Sequence, residues 1–191
     1  SYPHQLSGGM QQRPLIAMAP AREPASPVLD EPTTHLDVTT EATILDLVRD
    51  LVRDRGTAAL WVSHSLGVVA AVCDRVAVLY AGEVVEEGAV ADLYRAPLHP
   101  YTQGLFDSVP KIGSNRHQVS LRPIPGRVPR PDARPTVCVL PARCPTVIDA
   151  CRAAPPPLHT APDGPDARRT RCIRPRGIHP PSPAPASAPP T

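Results

Sequence analysis

The chain has 191 residues, a formal net charge of +2, 28 prolines, five cysteines, and only one Trp, four Tyr and one Phe. So few rings to stack on bases, with so small a net charge, argue against a nucleic-acid partner. No apolar stretch reaches the roughly 18–20 residues that cross a bilayer, and no signal peptide is visible, so a soluble, intracellular chain is expected, whose cysteines suit a metal better than disulfides.

The near-neutral total hides two unlike halves. Residues 1–100 hold 8 prolines, with 7 basic against 13 acidic side chains, whereas residues 101–191 hold 20 prolines, with 13 basic against 5 acidic. In chain order, Ser7 is a candidate N-cap for a helix running to about Arg22, with Leu15, Ile16 and Met18 as its apolar positions. Val28-Leu29 with Asp30 reads as a short buried strand. Thr39 or Thr40 is the expected cap of the next helix, in which Ile44, Leu45, Leu47, Val48, Leu51 and Val52 keep a helical period until Gly56 ends it. Thr57 to Val62 reads as a second strand leading to His64, Leu66 to Val72 as a short helix, and Arg75 to Tyr80 as a third strand. Gly82 then turns the chain into a hairpin partner, Glu83-Val84-Val85-Glu86. Two short helices follow, Ala89 to Arg95 and Tyr101 to Val109. Strands alternating with helices predict a parallel α/β sheet with one edge and one face uncovered. Beyond residue 109 the pattern becomes linker-like, then cysteine-bearing over 138–172, and the run from Ile178 onward is Pro, Ala and Ser with the composition of a disordered tail.

Two clusters carry chemistry. Ser7-Gly8-Gly9 opens a predicted helix, where free backbone N–H groups and the positive end of the helix dipole suit a phosphate. Asp30-Glu31 ends a strand, as a Mg²⁺ ligand and a water-orienting base would. The second cluster is Cys138-x5-Cys144-Pro145-x5-Cys151, then Cys172. Four thiolates in a segment poor in core residues make sense as a Cys₄ centre, because metal binding can supply the folding energy that the segment lacks. Cys73, on an apolar helix, reads as a small hydrophobe.

Leu6-Ser7-Gly8-Gly9-Met10-Gln11-Gln12-Arg13, then Asp30-Glu31-Pro32-Thr33, Thr34-His35-Leu36-Asp37 and Ser63-His64 together resemble the ATPase subunit of an ABC transporter. Ser1-Tyr2-Pro3-His4-Gln5, Tyr80-Ala81-Gly82 with Val85-Glu86-Glu87-Gly88, and His99-Pro100-Tyr101-Thr102 are similar to the oligopeptide/dipeptide (peptide/nickel) importer group. The resemblance implies the C-terminal part of an ABC-type P-loop NTPase sheet over residues 1–108, a Cys-rich extension of irregular structure over 109–176 and a disordered tail over 177–191. It implies that Ser7, Gly8, Gly9, Gln11 and Asp37 contact ATP, that Asp30 holds Mg²⁺, and that Glu31 and His64 are catalytic. Cys138, Cys144, Cys151 and Cys172 would hold an iron–sulfur cluster or Zn²⁺. The implied partners are a second ABC ATPase subunit in a heterodimer, two membrane permease subunits and, indirectly, an extracytoplasmic substrate-binding protein, with the chain peripheral at the cytoplasmic face of the cell membrane.

Several positions depart from the family pattern. No G-x-x-x-x-G-K-S/T loop is present, the single lysine being Lys111, and no Q-loop glutamine precedes the signature. Pro14 and Pro20 fall in the signature helix, Pro27 in the strand before Asp30, His35 where a small residue is usual, and Ser65 where an aspartate is usual. The expectation is a fragment of an ATP-hydrolysing peptide-import subunit; the alternative is an inactive truncated remnant or a metal-binding accessory module.

Overall fold

The computed structural model describes residues 2, 5, 14, 26–34, 36–109, 123–161 and 168–175. The expected signature helix, with Ser7, Gly8, Gly9 and Gln11, lies outside the described residues except for Pro14, as do His35 and the tail. The elements in order are β1 (Val28–Asp30), α1 (Val38–Arg55), β2 (Leu60–Val62), α2 (Leu66–Val72), β3 (Arg75–Tyr80), β4 (Glu83–Ala89), α3 (Val90–Arg95), α4 (Pro100–Asp107), a 3₁₀ turn (Pro131–Ala133), α5 (Ala150–Ala153), β5 (His159–Thr160) and β6 (Arg169–Thr170). Two compact units divide between Asp74 and Arg75.

In the first unit β1 and β2 pair in parallel, Leu29 opposite Trp61. Leu29 packs on Ile44 and Val48 of α1, with Leu36, Val52 and Trp61 around them. The alternate side chains Val28, Leu60 and Val62 are exposed, so among the described residues one face of this pair is covered and the other is open, as the alternation of a strand between unlike environments requires. Pro27 does not interrupt the ladder. It lies one residue before β1 and contributes only its carbonyl, which accepts from Leu60 N at 2.9 Å.

The cap of α1 is Asp37, not Thr39 or Thr40: its Oδ1 accepts from Thr40 N at 2.9 Å and its Oδ2 from the Thr40 hydroxyl at 2.8 Å. A carboxylate two residues further upstream satisfies an orphan N–H and complements the helix dipole, which a threonine within the turn cannot do. Gly56 ends the helix at φ +59°, its N–H reaching back to Arg53 and Val52 carbonyls. Ser65 caps α2 by accepting from Val68 N, so the serine performs the capping that an aspartate would also perform there.

In the second unit the expected hairpin at Gly82 is present, but it belongs to an antiparallel sheet of its own and not to the expected parallel one. Here β3, β4, β6 and β5 form an antiparallel sheet in that order. The cause is local: Ala81 (φ +49°) and Gly82 (φ +78°) make a two-residue turn, which returns β4 directly alongside β3. The extension is likewise not wholly irregular, because β5 and β6 add two short strands to this sheet. A bulge between Val78 and Leu79 shifts the β3–β4 register. It places Val85 and Glu86 both at 0% exposure although they are consecutive, which simple alternation would forbid. Tyr80, Val85, Val139 and Leu140 form the core of this unit, with Tyr101, Cys138 and Cys144 packed around it.

Candidate functional site

Glu31 follows directly on β1, and its N–H extends the parallel ladder by donating to Val62 O at 2.9 Å. Its backbone sits at φ +48°, a left-handed conformation that a side chain with a Cβ adopts only when its surroundings fix it. The fixing contacts come from the carboxylate. Oε1 accepts from His64 N at 3.0 Å and meets His64 Nδ1 at 2.8 Å, while Oε2 accepts from the Thr34 hydroxyl at 2.7 Å. The Thr34 bond, then the His64 contact, holds the Glu31 carboxyl below the usual glutamate range, so it stays a carboxylate.

The parallel pairing therefore brings Asp30, Glu31 and His64 to the same ends of β1 and β2. The imidazole is 77% exposed, leaving Nε2 clear for an incoming group, and Asp30 is exposed beside it. Asp37 stands one turn on, with both carboxylate oxygens engaged by Thr40. Sequence reasoning took Thr34 only as a letter of a motif; the signal available was a hydroxyl three residues after a carboxylate, the spacing of a turn that closes on itself.

The cysteines behave differently. Cys138, Cys144, Cys151 and Cys172 line one pocket, joined by His99 and Pro156. Among the described residues no three Cys, His, Asp or Glu side chains are gathered closely enough to hold a metal ion as they stand; the four thiols stand around a shared cavity. Burial, then the neighbouring thiols, pushes the Cys138 thiol up, and burial pushes Cys172 to about 11, with Cys144, Cys138 and Cys151 adding to it. Such thiols stay protonated unless a cation compensates them. Cys73 caps the end of α2 in the other unit, and burial followed by Asp74 raises its pKa.

Residues 85–151 match the model of the oligopeptide/dipeptide transporter C-terminal region. The chain is 46% identical over 177 residues to a putative peptide import ATP-binding protein of Brucella ovis, covering 91% of this chain and 52% of the relative. It is 46% identical to the oligopeptide transport ATP-binding protein AppD of Bacillus subtilis (90% and 51% covered) and 43% identical to the dipeptide transport ATP-binding protein DppD of Escherichia coli (90% and 51%). Over about nine-tenths of its length the chain is thus similar to ATP-binding proteins of peptide import. It spans about half the length of the curated relatives it matches. The dimeric post-hydrolysis structure of the ATP-binding cassette MJ0796 bound to ADP and phosphate overlaps 46% of this chain and 38% of its own, with 38% identity and a TM-score of 0.43.

The second unit contains a buried polar network. Glu86 accepts from Leu98 N and His99 N, each at 2.9 Å, and from Arg168 at 3.0 Å. Arg168, 5% exposed, also donates to the Ala96 carbonyl. His99, 1% exposed, accepts from Tyr101 N through Nδ1 at 3.1 Å and so caps α4. Burial drives its pKa down to about 4, opposed by the backbone of Arg171, so the imidazole is neutral. No helix among the described residues is long and apolar enough to cross a membrane.

Proposed function

We propose that the chain supplies the hydrolytic carboxylate and signature segment of an ATP-binding subunit that drives import of peptides or a related small solute. The observation that carries the reading is the Glu31–His64 contact, Oε1 to Nδ1 at 2.8 Å across 33 residues. An ionised carboxylate beside an exposed imidazole at a strand end is what orienting a water and sensing a phosphate require. In this reading Asp30 holds Mg²⁺, Ser7, Gly8, Gly9, Gln11 and Asp37 contact ATP, and Glu31 and His64 act on the water and the γ-phosphate. The complex comprises a second ATPase subunit, two permease subunits and, indirectly, an extracytoplasmic substrate-binding protein, at the cytoplasmic face of the membrane.

The test places the N-terminal portion of the B. subtilis relative ahead of Ser1. That chimera should release phosphate in a Mg²⁺-dependent manner, and Glu31→Gln should lower turnover by about 10²–10⁴-fold with ATP binding retained. Wild-type turnover in Glu31→Gln, or a folded chimera that binds no ATP, would reject the reading in favour of a remnant without ATPase activity.

The thiol pocket supports a second element of function. Cys138, Cys144, Cys151 and Cys172 would together hold zinc or an iron–sulfur cluster, which would cross-link the extension through charged thiolates. Iron, sulfide and zinc analysis after anaerobic purification is the check, and less than about a tenth of an equivalent of either metal would reject it.

A further inference from the structure

We propose that Cys138 and Cys151 form a reversible disulfide when the thiol pocket meets a peroxide. The segment between them is folded so that its ends meet. Three tight turns follow one another: Arg143 N donates to Leu140 O at 2.9 Å, Val147 N to Cys144 O at 3.4 Å and Cys151 N to Ile148 O at 2.9 Å. Cys138 N then closes the loop by donating to Cys151 O at 3.3 Å. A backbone bond of that kind holds the two Cα atoms roughly 5–6.5 Å apart, within the ~4.4–6.8 Å that a disulfide spans. Both residues line the same pocket, and both are free thiols. Val139 and Leu140, 4% and 2% exposed, lie in the core with Tyr80 and Val85 and anchor the Cys138 end, while Cys151 is fixed in α5. Joining the two sulfurs therefore costs little further loop entropy. Cys144 and Cys172 line the pocket as well, but among the described residues no backbone bond joins either of them to another cysteine.

The step balances as two thiols and one peroxide. A thiolate of the pair attacks the peroxide, the O–O bond breaks, and a sulfenic acid and a water result once a proton is transferred. The second thiol then attacks that sulfur: the S–S bond forms, the S–O bond breaks, and the oxygen leaves as water with the thiol's proton. Two electrons pass from the sulfurs to the peroxide. Burial keeps Cys138 protonated and slows the first step, but the second is intramolecular and captures the sulfenic acid before it is oxidised further. Exchange with an external thiol reverses the bond. The disulfide removes two of the four thiols from the donor set of the pocket, and the pairing stands whether or not the pocket takes a metal.

The test treats the full chain, freed of metal by a chelator, with hydrogen peroxide under native conditions and again in guanidinium chloride. Remaining thiols are blocked with N-ethylmaleimide, and the linked cysteines are identified by tandem mass spectrometry. In the native chain the intramolecular Cys138–Cys151 bond should exceed every other pairing by at least about fivefold and should disappear on adding dithiothreitol. In guanidinium chloride the shorter loops, Cys138–Cys144 and Cys144–Cys151, should form at least as readily, because only loop length then decides. Cys144→Ser and Cys172→Ser should keep the native pairing, whereas Cys138→Ser should leave Cys151 to accumulate sulfinic acid. The same distribution of pairings in the native and the unfolded chain would overturn the proposal, since the fold would then select nothing. So would a dominant bond to Cys144 or Cys172, or sulfinic acid at Cys138 and Cys151 of the native chain without any linkage between them.

Discussion

Thr34 controls more of the Glu31–His64 corner than its small side chain suggests. Its hydroxyl is the first cause of the lowered Glu31 pKa, ahead of His64. A lowered carboxylate pKa keeps Glu31 ionised to lower pH; removing the hydroxyl raises it toward the ordinary value. In the chimera, Thr34→Val should therefore shift the acid limb of the pH–rate profile upward, with activity lost earlier as pH falls, while the limb should be unmoved by Thr43→Val, whose hydroxyl bonds only the Thr39 carbonyl. An unshifted profile in Thr34→Val would mean that Glu31 is not the group titrating there. The partners of Glu31 were half legible from sequence. Asp30, Glu31 and His64 stood out because their order follows a family pattern, whereas the left-handed backbone at Glu31 carries no sequence signature, since glutamate ordinarily avoids it.

At the scale of elements, helix ends and tight turns are readable, whereas pairings between strands distant in sequence are not. Gly56 announces the stop of α1 because φ +59° suits a residue without a Cβ. Nothing lies within 4 Å of where a Cβ would stand, so Gly56→Ala tests backbone strain alone and should destabilise the first unit by about 1 kcal/mol. Asp37→Ala should cost about 1 kcal/mol through the lost cap, and a urea midpoint lowered with an unchanged slope is the expected reading for both. A midpoint unchanged in Asp37→Ala would show that the Asp37 carboxylate does not stabilise the helix. Local period identified α1, α2 and β3 closely, but it contains no information on which strand lies beside which. The turn residue Gly82 did mark β3 and β4 as a hairpin, whereas the pairing of β4 with β6 left no such mark.

At the scale of the whole molecule, the second unit is tied together by charges that composition alone describes as an excess of arginine. Glu83 pairs with Arg134 and Arg171, Glu87 with Arg169, and Glu86 with Arg168. The acidic strand β4 and the basic extension thus complement one another, which explains why an acidic half and a basic half occur in one chain. The exposed pairs contribute little, while the buried one cannot lose a partner cheaply. Glu86 was legible as a family letter but not as a buried carboxylate, because the bulge that turns it inward leaves no mark on the sequence, and the two-residue strands β5 and β6 are too short for any period.

The same network sets an acid limit on stability. With a folded pKa of about 4 against an ordinary 6.5, His99 stays neutral while the unfolded chain takes up a proton. Its contribution is complete above pH 6.5 and is lost as pH falls toward 4, up to about 3 kcal/mol. Breaking the buried pair acts at every pH: Arg168→Met strands the Glu86 charge and should cost about 3–5 kcal/mol. Adding Glu86→Gln removes that charge but keeps one oxygen where Leu98 N and His99 N each used their own, so the double variant should recover part of the loss. Thermal melts of the metal-free chain at pH 7.5 and pH 5 separate the two effects. The His99 contribution should appear only in the difference between pH values, and the Arg168 cost at both. A double variant no more stable than Arg168→Met would show that the arginine acts through its bond to the Ala96 carbonyl instead of through the charge on Glu86.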